Sequence, residues 1–366
     1  MDVSRRDFVT VGMTGLLATQ ILKPSISKGD VSTPPQTGER NKDGYVPCIA
    51  PGIPTLAYKW DGSTKLFNLV AEPVTVEWQD MSDPHGAATR PIYCWGYNGS
   101  MIGPTIEVVE GDTVRVILQN NLPDPTTVHW HGLHIPLPMD GVPDLSQPMV
   151  MPGESFTYEF TLEQSGTYFY HSHVMQAKQV AMGLLGFFII HPKKPEPWQV
   201  VDRDYAYFLQ TWKIGPRHGN PDNMEMSDFN YFTMNGRPGN GQPGGPKNPA
   251  GIVPMQARSG EKVRIRVGNL SMLTHPIHLH GHTFKVTDWG GGFLPQHQHI
   301  AANTIDVSNA EVRVLEFEAS KRLGKWLFHC HFMHHTMNDM HRRPIPGMMP
   351  HAMHVDGGMH TWIEII

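Results

Sequence analysis

Three cysteines in 366 residues are too few for a disulfide scaffold, and 29 basic against 34 acidic side chains, a net charge of −5, leave no polybasic surface for nucleic acid. No run of about 20 apolar residues occurs, so no segment suits a stable membrane span. Long helices are disfavoured as well, because glycine (36) and proline (32) together make about a fifth of the chain. Short strands joined by turns, an all-β class, are the expected result. What the chain does have is histidine (22) and methionine (21). Imidazole binds copper, zinc and iron, and thioethers with a scarce thiolate add the ligands of an electron-transfer copper site, so the counts suit a metal-handling protein while composition alone does not choose the metal.

At the N-terminus, Ser4-Arg5-Arg6-Asp7-Phe8 precedes an apolar stretch from Val9 to Leu22 that is too short and too polar to span a bilayer. This is the pattern of a twin-arginine export signal, and the expected residence is periplasmic or secreted. In such a compartment Cys48 and Cys94 can pair, or remain two buried thiols.

The chain repeats itself. Slid by 149 residues, Gly111-Asp112-Thr113-Val114-Arg115-Val116 falls on Gly260-Glu261-Lys262-Val263-Arg264-Ile265, and His129, His131 and Gly132 fall on His278, His280 and Gly281. An offset of 158 sets Gly166, Tyr168, His171, His173 and Met182 against Gly324, Trp326, His329, His331 and Met340. Two homologous domains are implied. Alternation at Val114, Val116 and Leu118, and at Phe156, Tyr158 and Phe160, predicts half-buried strands, so each repeat reads as a β-sandwich. The expected organisation is a signal and leader over 1–44, a first domain over 45–191, a proline-rich linker over 192–199, a second domain over 200–345 and a Met/His-rich tail over 346–366.

Four His-x-His pairs stand at matched places: His129/His131, His171/His173, His278/His280 and His329/His331. Residues two apart in a strand project from one face, so each pair offers two imidazoles together. Eight such nitrogens can hold about three first-row metal ions with positions left open. Cys330, between His329 and His331, faces the other way and belongs to a different ion. His275, His335 and Met340 complete two imidazoles, a thiolate and a weak axial thioether, the blue-copper set.

The stretches His129-Trp130-His131-Gly132, His275-Pro276-Ile277-His278-Leu279-His280-Gly281-His282 and His329-Cys330-His331, followed by His335 and Met340, resemble the copper motifs of multicopper oxidases. The resemblance implies two tandem cupredoxin-like Greek-key sandwiches and four coppers per chain. By it, His129 and His278 would bind type 2 copper, and His131, His171, His173, His280, His329 and His331 the type 3 pair. His275, Cys330, His335 and Met340 would bind type 1. The repeat places Thr126, Ser172 and Ala177 opposite His275, Cys330 and His335, so the first domain resembles a cupredoxin that has lost its type 1 site and kept its cluster histidines. That is the pattern of two-domain laccase-like oxidases, in which a homotrimer with clusters between subunits is implied.

The activity implied is one-electron oxidation of a phenolic donor or Cu(I), coupled to four-electron reduction of O2 to water. Asp140 in Met139-Asp140-Gly141 stands where the family carries a proton-handling acid near type 2 copper, although an Asp-Gly turn explains it too. The carboxylate common within or after His-Cys-His is replaced here by Phe332, Met333, His334 and Thr336, leaving His334 or Asp339 as substitutes. The Met/His-rich tail, with Met348, Met349, His351, Met353, His354, Met359 and His360, reads as a soft-metal tract that suits Cu(I), or as packing. The rival readings are a copper nitrite reductase, which would carry its thiolate in the first domain, and a copper-binding or tolerance protein without turnover. A zinc hydrolase lacks a suitably spaced carboxylate or general base.

Overall fold

The computed structural model describes residues 40–41, 44–80, 88–215, 219, 221–222, 225–239, 244, 251–339 and 358–366. The twin-arginine pattern, Met340 and the tract residues up to 357 lie outside them. No helix among the described residues is long and apolar enough to cross a membrane.

The first half folds as two facing sheets. One pairs Tyr58–Asp61, Thr64–Gln79, Thr113–Asn120 and Ser155–Thr161 in that order, with Thr89–Tyr97 also on Thr64–Gln79. The other runs Gly103–Val109, Leu185–His191, Gly166–His171, His129–His131. The alternation expected of Val114, Val116 and Leu118 is realised, each being fully buried between the sheets with Tyr158, Phe160, Trp130 and Phe188. The second half repeats this plan. Arg203–Trp212, Lys262–Asn269 and Glu311–Glu318 are neighbours in one sheet, and Met255–Ala257, His360–Ile365, Gly324–Cys330, His275–Leu279 and Thr304–Val307 form the other. Both halves are cupredoxin-like sandwiches.

The C-terminal strand is a correction to the tail expected over 346–366. His360–Ile365 pairs antiparallel with Gly324–Cys330 just as Leu185–His191 pairs with Gly166–His171, and Met359 is fully buried in the second core. The end of the Met/His-rich segment therefore closes the sandwich: Thr361, Ile363 and Ile365 alternate inward with period two.

Between the halves lies a third apolar cluster, in which Trp78, Ile92, Phe169 and Phe187 meet Phe208, Trp212, Tyr231 and Val314. Cys48 and Cys94 are in it as free thiols, so the possible disulfide does not form. Arg266, 0 % exposed, crosses the interface, bonding Asp204 at 2.7 and 2.8 Å and the Thr167 hydroxyl at 2.5 Å. A buried guanidinium is tolerable only with such partners.

Candidate metal centres

The strand His275–Leu279 alternates buried and half-buried residues, and Gly324–Cys330 lies antiparallel to it with Ile277 opposite Cys330 and His278 opposite His329. Ile277, Leu279 and Phe328 fill the core. Their burial, each contributing about 1.5–3 kcal/mol, sets which face every neighbour takes. Cys330 and His275 consequently point inward, and His278, His280, His329 and His331 outward.

Inside, the Nδ1 atoms of His275 and His335 are 3.1 Å apart, and the Cys330 Sγ lies 3.3 Å from His335 Nδ1 and 3.9 Å from His275 Nδ1. Three N and S donors about 3–4 Å apart surround a point that each reaches with a bond of roughly 2 Å, which suits a trigonal first-row metal site. His335 sits on the turn Met333–Thr336 and stacks on Phe232, centroids 4.4 Å apart. The loop is closed from the C-terminal side: Cys330 N donates to Met359 O, and Met359 N to His335 O, both at 3.0 Å.

Outside, the second-domain quartet is a closed set of rings, His278–His280 at 4.8 Å, His280–His329 at 5.2 Å and His329–His331 at 5.4 Å between centroids. His278 Nδ1 donates to Asn303 O at 2.7 Å, with Thr304 Oγ1 at 2.9 Å, and His329 Nδ1 donates to Cys330 O at 2.9 Å. Fixing Nδ1–H leaves Nε2 with a lone pair for a metal. Asn303 was not legible as a site residue, since a backbone carbonyl partner has no signature in residue type, and the Thr304 hydroxyl reaches His278 only through the strand pairing that sets the two opposite each other.

The first-domain quartet is built alike. Trp130, fully buried against Tyr158, Phe160, Tyr170 and Phe188, anchors its strand and turns His129 and His131 outward. The His129 ring is 5.3 Å from His171 and 5.4 Å from His173, and the ligand atoms of His129, His131 and His171 lie within 4.8 Å of one another. Asp140 contributes twice. Its backbone oxygen accepts from His129 Nδ1 at 2.7 Å, and its carboxylate lies 3.4 Å from the same nitrogen. Gly141 makes this turn possible at φ +81°, where a Cβ would meet Val128 O at 1.9 Å. Among the described residues no ring contact or hydrogen bond joins one quartet to the other.

Multicopper oxidase domain models match residues 75–195 and 216–346. The chain belongs to the multicopper oxidase family. The multicopper oxidase mgLAC is 30% identical with a TM-score of 0.66, over 82% of this chain and 86% of that one. The blue copper oxidase of Nitrosomonas europaea is 28% identical, TM-score 0.65, over 82% and 85%. Copper resistance protein A of Escherichia coli is 40% identical over 115 residues, 31% of this chain and 18% of that protein. Among the first curated relatives matched, this chain spans about a third of their length or less.

As a multicopper oxidase the chain is expected to hold copper, and the donor atoms are in the right chemical state for it. Burial first, then neighbouring imidazoles, pushes His171 down to about 3 and His131 to about 4. Burial likewise lowers His329 to about 4 and His335 to about 3, and depresses His275, His173 and His280. All are neutral, metal-competent bases at ordinary pH. Burial pushes the Cys330 thiol up to about 12, so its thiolate is not an apo-state group but one a bound cation would create.

The multicopper oxidase's first domain has filled its inner site with hydrogen bonds. The Thr126 hydroxyl donates to Gln179 Oε1 at 2.7 Å, the Ser172 hydroxyl donates to the same oxygen, and Gln179 Nε2 donates to Pro125 O at 2.7 Å. All three side chains are fully buried. Gln179, rather than the exposed Ala177, takes the place of His335. The offset of 158 fails by two residues because the turn Gln176–Gln179 starts one residue later after Ser172 than Met333–Thr336 does after Cys330, and its last residue, not its third, points inward.

Proposed function

We propose that this protein couples one-electron oxidation of a small, easily oxidised donor at a type 1 copper to reduction of O2 to water at a trinuclear cluster. The observation that carries the reading is the strand ending at Cys330, which places a thiol inside the sandwich and its two flanking imidazoles outside it. Copper, when bound, supplies the redox chemistry, and the protein positions and tunes it. His275, Cys330, His335 and, by sequence, Met340 would hold type 1 copper. His129 and His278 would hold type 2, and His131, His171, His173, His280, His329 and His331 the type 3 pair, four coppers per chain.

Among the described residues no ring contact or hydrogen bond joins the two quartets, which supports a cluster built from the first-domain quartet of one subunit and the second-domain quartet of the next. This favours a ring of subunits with head-to-tail contacts, and a homotrimer is the proposed assembly. Asp140 is proposed to handle protons beside type 2 copper, its backbone oxygen fixing the His129 tautomer while its carboxylate stays half exposed. Export through the twin-arginine pattern would place the enzyme in the periplasm or outside the cell. The copper nitrite reductase reading needs a thiolate in the first domain, where Ser172 is instead bonded to Gln179.

Either Cu(I) or a phenol is the proposed donor. The soft ligands of the Met/His-rich segment, close in sequence to His335, favour Cu(I). Oxygen uptake by copper-loaded protein, with spontaneous Cu(I) oxidation suppressed, separates the two. Faster uptake with Cu(I) identifies a cuprous oxidase, and faster uptake with a phenol a laccase-like one. Absence of uptake with both would refute the proposal.

A further inference from the structure

Both copies of the repeat build the same turn ahead of the inner site, and in the second copy alone a hydroxyl two residues after the asparagine bonds the asparagine side chain. In the first domain Asn120 Nδ2 donates to Asp124 O and Val150 O, each at 2.9 Å, while its Oδ1 accepts from Leu122 N at 2.9 Å. In the second, Asn269 Nδ2 donates to Leu273 O at 2.7 Å and Val307 O at 2.9 Å, and its Oδ1 accepts from Ser271 N at 2.8 Å. Ser271 thus stands where the domain without a type 1 ligand set has Leu122.

The buried Ser271 hydroxyl lies 2.8 Å from Asn269 Oδ1 and 2.9 Å from His275 Nε2. The two carbonyls on Asn269 Nδ2 fix which end of the amide is oxygen. That oxygen only accepts, as does Leu273 O, 3.1 Å from the same hydroxyl, so the single hydroxyl proton goes to one of these oxygens and the hydroxyl oxygen accepts from His275 Nε2–H. The ring is then held as the tautomer whose bare Nδ1 faces Cys330 and His335. The other imidazole differs: His335 Nε2 is buried and has no hydrogen-bond partner among the described residues.

We infer that Ser271 is a positioning residue of the type 1 centre, acting through His275 to set its tautomer, its orientation and its strength as a donor to copper. The inference rests on the reading of His275, Cys330 and His335 as a type 1 site. A hydroxyl that accepts from a ligand imidazole makes that ligand more basic, and losing such a partner typically weakens metal affinity by about 10-fold or more.

The test uses copper-loaded wild type, Ser271→Ala, and the isosteric pair Ser271→Thr and Ser271→Val, which differ by the hydroxyl alone. Visible thiolate-to-copper absorption, the type 1 midpoint potential and copper retention against a chelator are read, together with the unfolding midpoint of each apo-protein. Expected are a raised potential and about 10-fold weaker type 1 retention in the Ala and Val variants, with Thr close to wild type. Should Ser271→Ala not fold, the Thr and Val pair makes the same comparison. Potential and retention that are the same with and without the hydroxyl would overturn the inference. A wild type that takes up copper without the thiolate absorption would instead overturn the type 1 reading beneath it.

Discussion

Ser172 and Cys330 occupy one place in the two halves of the molecule: the Ser172 amide donates to Leu184 O at 3.1 Å, and the Cys330 amide to Met359 O at 3.0 Å. Each accepting carbonyl leads into the strand that closes its sandwich. The same backbone therefore carries a serine in one copy and a thiol in the other.

It follows that Cys330→Ser is tolerated by the fold. Apo-protein stability is expected to change by about 1 kcal/mol, while the blue absorption and donor-dependent oxygen uptake are lost. Thermal unfolding and a visible spectrum of the same sample check both halves of the expectation.

Asp140→Asn keeps the backbone oxygen that holds His129 and removes the carboxylate. Copper content is expected to stay at the wild-type level while turnover at saturating donor falls by about 10²-fold, the usual scale for losing a proton-transfer group. Metal analysis beside steady-state oxygen uptake separates this outcome from simple copper loss, which would return Asp140 to the status of a turn residue.

Acidification should destabilise the apo-protein in a defined window. His171 binds its proton near pH 3 when folded and near 6.5 when unfolded, so between these values the unfolded chain holds more protons. Stability is then complete above about pH 6.5 and falls as the pH drops toward 3, by on the order of 1 kcal/mol per unit for this one group. The other buried histidines shift in the same direction and steepen the loss. Denaturant unfolding of apo-protein from pH 8 to 5 reads it directly; a flat profile would contradict the burial that lowers these rings.

The proposed sharing of a cluster between subunits predicts complementation. Co-expressed chains carrying His131→Ala with His171→Ala, or His280→Ala with His329→Ala, are each expected to be inactive alone. In mixed rings about a quarter of the interfaces combine two intact quartets, so about a quarter of wild-type uptake should return. Clusters formed within one chain would give no recovery.

Much of the site was legible because its geometry is a consequence of period two. His-x-His in a strand can only share a face, and Cys330 between two of them can only take the other. The repeat also showed which domain had lost its thiolate. The substitute for His335 was not legible, because a helical turn that starts one residue later and points its last residue inward, not its third, moves the inward position from Ala177 to Gln179 without any change in composition. The strand His360–Ile365 was hidden by the methionines and histidines before it, although its alternation of Thr361, Ile363 and Ile365 was there to be read. Ser271 was within reach as well, standing opposite Leu122 in the repeat, but its role depends on an amide orientation that only the folded turn supplies. The fates of Cys48 and Cys94 depended on packing between the domains, which sequence spacing does not encode.

The most direct measurement of the central claim is the ratio of donor oxidised to O2 consumed by copper-loaded protein, with hydrogen peroxide monitored alongside. Four one-electron donors per O2, no peroxide, and no uptake in Cys330→Ser is the expected result. Two donors per O2 with peroxide released, or uptake that persists without the Cys330 thiol, would contradict a type 1 site coupled to an oxygen-reducing copper cluster.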